Sequence, residues 1–329
     1  MPMTNHTLTK GMIICLASLF LLSCKGQPGN SAISESRSNI VKHHNKLDDI
    51  NSAAEIEAIL AAICKSCTNF KVNSTLTFKE GFGTRPDKTG QHIADSLQVK
   101  AWTKMDFDGN GYTDLLVIGN WDMDHSVMCI MDSGENRFSV NTLTRRSFQD
   151  CTFPVVARID STPVILYYYM QEPDLRHHQT ESWLKVDTLV YQFGDFVEFN
   201  QNPANHKIEK IEYSTTGCFG TCPIFILTIN QDRTAVFDAG SYNQVSGKFT
   251  ATIDTANFNP LINLLNYIDF AKLDSSYSVG WTDDQACDLK ITYDNGQVKK
   301  ISDYGLLGTF GLNRAYELLF KLRENQKWK

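Results

Sequence analysis

The chain has 329 residues, of which 42% are hydrophobic and 21% charged, and its formal net charge is −6. This is the composition of an ordinary globular protein, and it excludes a collagen-like, coiled-coil or wholly disordered chain. The acidic balance argues against a nucleic-acid-binding protein, which would present a basic surface. The length is sufficient for about two domains, each with its own hydrophobic core.

The first 23 residues predict a signal peptide. Lys10 precedes an apolar segment, Gly11 to Leu22, that is too short to span a bilayer. The sequence L-L-S-C, which ends at Cys24, resembles a bacterial lipobox. The resemblance implies cleavage before Cys24, followed by diacylation of its thiol and acylation of the new amine. Three acyl chains are sufficient to anchor a protein stably. The alternative is a plain secretory signal that happens to contain a cysteine.

Residues 24–46 comprise this cysteine and a polar segment with Ser, Asn and Gly, which we predict to be a flexible tether. The residue after the cysteine is Lys25 rather than aspartate, which resembles outer-membrane sorting signals. We therefore expect a cell-envelope protein, an outer-membrane lipoprotein that faces the periplasm or the cell surface. Its expected partners are the membrane, through the lipid anchor, and an unidentified envelope protein or glycan.

Residues 47–202 predict a mostly antiparallel β domain with a leading helix. Ser52 and Glu55 have the spacing of a capping box, and apolar residues at helical spacing follow as far as about Lys65. The pattern then changes to a period of two, which is typical of strands. The predicted strands are 70–78, 97–105, 114–121, 127–131, 138–143, 155–159, 164–170, 183–192 and 196–199.

Residues 207–326 predict a smaller α+β domain with two helices, which follows a polar linker at 201–207. Asp254 is placed to cap a helix that reaches about Tyr267, and a last helix is expected over 312–325. The predicted strands are 210–214, 224–229, 234–239, 247–252, 288–293 and 298–302. The fold class expected for the whole chain is therefore α+β.

A run of carboxylates between two predicted strands is the most specific chemical signal. Oxygen-bearing side chains stand at Asp106, Asp108, Asn110 and Asp114, and the carbonyl of Tyr112 has the position of a further ligand. Calcium prefers about six to eight oxygen ligands, and this spacing turns alternate side chains towards one centre. We therefore predict a structural calcium site formed by these five residues.

The loop differs from an EF-hand, because its twelfth position is Val117 and its flanks are predicted strands. It resembles instead the strand-loop-strand calcium sites of integrin-type and related extracellular β-repeat proteins. The alternative interpretation is a plain hairpin turn, since Asp-Gly and Asn-Gly both favour turns. The loop lacks the histidine ligands of a catalytic zinc site.

Seven cysteines follow Cys24, and an exported protein meets an oxidising compartment in which disulfides are the default. Cys64 and Cys67 have the spacing of a thioredoxin motif. Their predicted position at a helix C-terminus disfavours a low thiol pKa, so we favour a structural bridge over redox chemistry or zinc binding. The odd count leaves a thiol without a partner, and Cys129 and Cys287 lie in predicted strands where a free thiol is simply buried.

Cys218 and Cys222 are the second candidate disulfide, and they lie in the sequence G-C-F-G-T-C-P. This sequence resembles the G-C-x-G-x-C-P signature of an uncharacterised domain family found in bacterial lipoproteins. The family also has a Thr-Asp pair, matched here by Thr282 and Asp283, before a strand-turn-strand and a final helix. The resemblance covers about residues 207–326, and it implies a fold but no reaction.

Two functions remain open at this stage. The first is a non-enzymatic, lipid-anchored envelope protein that acts in binding or assembly and carries a structural calcium ion. The second is an envelope enzyme, either a thiol oxidoreductase that uses Cys218 and Cys222 or a hydrolase. We favour the first, because the sequence shows no G-x-S-x-G, H-E-x-x-H or P-loop motif.

Overall fold

The computed structural model describes residues 41–76, 79–80, 85–86, 88–121, 124–145, 152–171 and 183–329. The predicted signal peptide 1–23, the predicted lipidation site Cys24 and residues 24–40 of the predicted tether lie outside these ranges. The described residues from 41 onwards belong to one compact unit. Within the described ranges, no helix combines the length and the apolar character that a membrane crossing requires.

Five α-helices lie in the described part of the chain. They are α1 (Lys46–Asp49), α2 (Ala53–Ile63), α3 (Lys88–Ser96), α4 (Thr255–Tyr267) and α5 (Phe310–Asn325). The predicted capping box at the start of α2 is confirmed, because the Ser52 hydroxyl accepts from the Glu55 N–H and the Glu55 carboxylate accepts from the Ser52 N–H. Asp254 caps α4 as predicted, by accepting from the Asn257 N–H.

Helix α3 was not predicted. The predicted strands on either side of it are shorter than expected. The strand expected over 70–78 ends at Val72, and the one expected over 97–105 begins only at Trp102. Residues 88–96 are mostly polar, and Ile93 is the one large apolar residue among them. Ala94 is buried in the core beneath the neighbouring sheets.

The part before residue 203 contains two antiparallel sheets and a short ribbon. Its strands are β1 (Phe70–Val72), β2 (Lys79–Glu80), β3 (Arg85–Pro86), β4 (Trp102–Met105), β5 (Asp114–Trp121), β6 (Asp124–Asp132), β7 (Phe138–Thr142), β8 (Phe153–Ile159), β9 (Thr162–Gln171), β10 (Trp183–Gln192) and β11 (Asp195–Glu198). The first sheet has the order β1-β5-β6-β7, with β4 also paired to β5, and the second has the order β11-β10-β9-β8. Strands β2 and β3 pair only with each other among the described strands.

The part after residue 207 contains one seven-stranded sheet and the helices α4 and α5. Its strands are β12 (Ile208–Thr215), β13 (Phe225–Asn230), β14 (Thr234–Ala239), β15 (Gly247–Thr252), β16 (Ser276–Ser278), β17 (Ala286–Tyr293) and β18 (Gln297–Tyr304), in the order β15-β14-β13-β12-β17-β18-β16. Leu227 of β13, Leu261 of α4 and Leu319 of α5 share one hydrophobic core, so both helices contribute to the same apolar layer. Strand β16 is parallel to β18, and it was not predicted.

Helix α5 connects the two parts. The Glu198 carboxylate, at the end of β11, accepts from the N–H groups of Phe310 (2.5 Å) and Gly311 (2.8 Å) in the first turn of α5. A Cβ at Gly311 would lie 2.3 Å from Ile268, so only glycine fits there. The Phe310 ring joins the core of the earlier sheets and meets Tyr167 edge-on, with ring centroids 5.4 Å apart. The division into domains 47–202 and 207–326 stays a prediction.

Candidate metal-binding loop

The acidic loop joins β4 to β5 at the end of the first sheet. Met105 and Asp114 are paired in the antiparallel register, so residues 106–113 form the connection between them. The chain turns at Gly109 and Gly111, whose φ values of 75° and 90° lie in the left-handed region that favours glycine. The predicted strand-loop-strand setting is therefore confirmed.

Three of the five predicted ligands converge. Asp106, Asp108 and Asp114 each offer a carboxylate oxygen, and these oxygens lie within 4.8 Å of one another. The Asn110 amide bonds within the loop: Nδ2 donates to Asp108 (3.0 Å), and Oδ1 accepts from the N–H of Tyr112 (2.7 Å). Ligation by Asn110 and by the Tyr112 carbonyl stays a prediction.

Backbone N–H groups hold two of the carboxylates in place. Asp106 accepts from the N–H groups of Gly109 (2.8 Å), Asn110 (3.2 Å) and Gly111 (2.9 Å). Asp114 accepts from those of Phe107 (2.8 Å) and Asp132 (2.9 Å). An ionised carboxylate has about four acceptor positions, so both groups retain lone pairs for a cation.

The electrostatics of the loop favour a cation. Burial raises the pKa of Asp114 to about 7, and the charges of Asp108 and Asp106 contribute to the same rise. Desolvation raises the pKa of Asp108, and the nearby Asp106 charge acts in the same direction. A divalent ion at this point would remove the repulsion and favour the ionised forms of Asp108 and Asp114.

The chain before α1 is fastened to the loop. The Asn45 side-chain amide donates to the Thr113 carbonyl (2.7 Å) and to the Asp132 carboxylate (2.9 Å). The N–H of His43 donates to the Gly111 carbonyl (2.9 Å), and the His43 ring stacks on Tyr112. The flexible tether predicted over 24–46 was therefore too long at its C-terminal end, because residues 43–46 are bound to the fold.

Sequence reasoning missed Asn45 and Asp132 as supports of the loop. Both side chains are buried, and Asp132 also accepts from the N–H groups of Gly134 (2.9 Å) and Asn136 (3.3 Å). Asn45 and Asp48 form a capping box at the start of α1, a pattern that is visible in the sequence N-K-L-D. That pattern was the available signal that the chain is already structured there.

The candidate cysteine pairs both form disulfides. Cys64 is bonded to Cys67 directly after α2, and Cys218 is bonded to Cys222 in the loop before β13. Cys129 and Cys287 are free and buried. Burial raises the pKa of both of these thiols, in the case of Cys287 to about 12.

The two segments that resemble the lipoprotein domain signature come together in the fold. The N–H of Phe219, inside the Cys218–Cys222 loop, donates to the Asp283 carbonyl across 2.9 Å. The Gln285 side chain donates to the carbonyls of Thr216 and Pro223, at 2.8 Å each, on either side of the same loop. The loop is thus held by Asp283 of the Thr-Asp pair and by Gln285, which follows the pair.

Residues 209–323 match the model of a domain of unknown function, DUF6438. This match falls within the range 207–326 for which the sequence resembles an uncharacterised domain family, and it includes both segments of the signature. It covers α4 and almost all of α5, together with the sheet between β12 and β18. No curated protein and no solved structure matches the chain.

Proposed function

We propose that the chain is a lipid-anchored cell-envelope protein that acts as a binding or assembly module and carries a structural calcium ion. The observation that carries the proposal is the convergence of Asp106, Asp108 and Asp114 in a short loop between two strands. Carboxylate oxygens are hard ligands that suit calcium. Within the described residues, this is the one group of three or more acidic, histidine or cysteine side chains with such geometry.

We propose a structural role for the ion because the loop is bonded to two neighbouring parts of the fold. Through Asp114 the loop is bonded to β6, and through Thr113 and Gly111 it is bonded to the segment that precedes α1. An ion that binds only the folded loop stabilises the folded state by mass action. Calcium at such extracellular sites binds with a Kd on the order of 10⁻⁴–10⁻³ M.

The proposed localisation rests on the predicted signal peptide and on the predicted lipidation of Cys24. An outer-membrane lipoprotein that faces the periplasm or the cell surface meets an oxidising compartment. The disulfides Cys64–Cys67 and Cys218–Cys222 suit such a compartment. The proposed partners are the membrane, reached through the lipid, and an envelope protein or glycan.

The proposal is tested by calorimetric titration of calcium into the purified protein. The double variant Asp106→Asn with Asp108→Asn keeps one acceptor oxygen at each position but removes two charges, and we expect it to abolish the binding heat. The matched control is Asp232→Asn, because Asp232 also accepts hydrogen bonds within a turn, from Thr234. Equal calcium binding by the double variant would refute the site, and absence of binding to the parent would refute the calcium proposal.

The anchor has a separate test. We expect the wild-type protein to partition with membranes and to carry acyl chains on an N-terminal peptide that begins with Cys24, as detected by mass spectrometry. The variant Cys24→Ser should leave the membrane fraction. Recovery of unprocessed wild-type protein in the soluble fraction would refute the anchor.

A thiol oxidoreductase is the second candidate, and the Cys218–Cys222 disulfide is the observation that keeps it open. This pair is only partly buried, whereas the thiols of Cys129 and Cys287 are buried and have raised pKa values. The pair would need a thiolate of low pKa after reduction. Alkylation of the reduced protein at pH 6 decides the question, because rapid labelling at Cys218 or Cys222 favours the enzyme and no labelling excludes it.

A further inference from the structure

A cleft lies directly beside the metal-binding loop. Its volume is about 370 Å³, and it opens between that loop and the β8–β9 hairpin. Asp106, Gly109 and Gly111 form its wall on the side of the loop, and Arg158, Ser161 and Pro163 form the wall on the side of the hairpin. This size suits a small polar ligand such as a single sugar ring with a charged substituent.

The cleft carries three cationic side chains, Lys42, Lys104 and Arg158. Lys104 donates to the carbonyls of Asp48 and Ile50, at 2.7 Å each. Arg158 donates to the Ser161 carbonyl at 2.8 Å and to the Met105 sulfur at 3.1 Å. These acceptors are neutral, so they orient the two cations without neutralising their charge.

The calcium site of the proposed function is incomplete on its own. Five ligands are predicted in the loop, whereas calcium takes about six to eight. Val117 occupies the position at which an EF-hand supplies its last carboxylate, and its side chain is fully buried in β5. The remaining positions can be filled by water or by a bound molecule, and the cleft, which Asp106 borders, offers the space for such a molecule.

We propose that this cleft binds an acidic sugar in a calcium-dependent manner. One oxygen of the carboxylate or phosphate group of the sugar completes the coordination of the ion, and Arg158 and Lys42 pair with the remaining oxygens. Lys104 is a positioning residue that keeps the segment before α2 at the edge of the cleft. With calcium bound, the charge of the three aspartates is largely offset, so the three cations dominate the cleft.

The charge balance explains why the ion is required. Without calcium, Asp106 and its two neighbours would repel an anion at the loop wall of the cleft. With calcium, the same wall presents a cation with free coordination positions. The proposal rests on the calcium site above, and it adds the class of ligand that this site recognises.

The test is a calorimetric titration of sugars into the calcium-saturated protein. The probes are glucuronate, which carries a carboxylate, glucose 6-phosphate, which carries a phosphate, and neutral glucose. We expect at least one acidic sugar to bind in calcium and not in chelator, and we expect glucose not to bind. Which of the two acids binds more tightly identifies the anionic group that the cleft prefers.

Two variants and a control make the test specific to the cleft. Arg158→Ala and Lys42→Ala should each weaken the affinity for the acidic sugar by about tenfold, because each removes a charge-assisted contact. Lys248→Ala removes a lysine from the exposed strand β15, and it should change nothing. Lys42 lies on an exposed segment before α1, so its variant tests the proposal even if Arg158→Ala fails to fold.

The two proposals fail in different ways. If calcium binds but neither acidic sugar does, the ligand proposal is overturned and the calcium site stands. If an acidic sugar binds equally well to the parent and to both cleft variants, the cleft is not the site. If calcium itself does not bind, the function proposed above fails, and the ligand proposal fails with it.

Discussion

The side-chain amide of Asn45 donates to the carboxylate of Asp132 across 2.9 Å, and both side chains are almost completely buried. The two residues are far apart in sequence, at the start of α1 and at the end of β6. Asn45 also caps α1 and donates to the Thr113 carbonyl beside the acidic loop. One amide thus joins the first helix, the first sheet and the candidate metal site.

Replacement of Asn45 by alanine should destabilise the protein. The change removes a helix cap and leaves a buried carboxylate and a buried carbonyl with fewer partners, which together cost about 2–3 kcal/mol. The measurement is urea unfolding followed by circular dichroism. Asn51→Ala is the control, because Asn51 is exposed and its amide bonds only to a nearby carbonyl. Equal losses in the two variants would show that the buried contacts of Asn45 do not matter.

Removal of calcium should lower the melting temperature of the parent protein. At a calcium concentration about ten times the Kd, the ion adds about 1.4 kcal/mol, which corresponds to about 2 °C for a chain of this size. The double variant Asp106→Asn with Asp108→Asn should melt at the same temperature in calcium and in chelator. Differential scanning calorimetry in both buffers measures the difference, and an unchanged calcium effect in the variant would place the ion elsewhere.

His125 should make stability depend on pH. Desolvation lowers its pKa to about 4, and the hydrogen bond with the Thr152 carbonyl acts in the opposite direction. Because the unfolded histidine titrates near 6.5, the unfolded state binds more protons between pH 6.5 and 4, and stability falls as the pH falls through that window. The loss attributable to His125 is about 2 kcal/mol at pH 5.

The variant His125→Gln isolates this effect. It keeps a donor for the Thr152 carbonyl and does not titrate, so the difference in stability between parent and variant should shrink by about 2 kcal/mol from pH 7.5 to pH 5. The other titratable groups contribute equally to the pH dependence of stability in both proteins, so their contributions cancel in the difference. Urea unfolding in chelator at the two pH values measures the difference, and a constant difference would argue against a neutral buried ring.

Glu198 should stabilise the junction between the two parts of the fold. Glu198→Gln retains one acceptor but presents an amide N–H₂ to one of the N–H groups of Phe310 and Gly311, and it removes a negative charge from a helix N-terminus. We expect a loss of about 2 kcal/mol. Glu209→Gln is the control, since Glu209 accepts one backbone N–H, from Asn295, at an exposed contact. A loss no larger than that of the control would contradict the capping role.

Local patterns predicted much of the fold. The strands Asp114–Trp121 and Thr234–Ala239 were predicted to the residue, because alternating or continuous apolar side chains mark them directly. Strand β16 has no such pattern, and its three residues become a strand only through pairing with β18. Helix α3 was missed because its sequence is short and mostly polar, with only Ala94 and Ile93 packed into the hydrophobic core.

The candidate site was likewise only partly predictable from the sequence. The three converging aspartates lie within nine residues, so their spacing alone was informative. Asp132 reaches Asp114 only because β5 and β6 pair with Leu115 opposite Ile130, a register that no local pattern gives. The cations of the cleft come from three separate segments, and only the tertiary structure brings them together.

The attachment of residues 43–48 to the acidic loop has a mechanical consequence. If the protein is held by a lipid at Cys24, a pulling force on the chain acts first on the hydrogen bonds of His43 and Asn45. These bonds join the segment to Gly111, Thr113 and Asp132. A cation that stiffens this loop raises the force needed to peel the segment away. The strength of the link between membrane and folded body would then follow the calcium content of the surrounding medium.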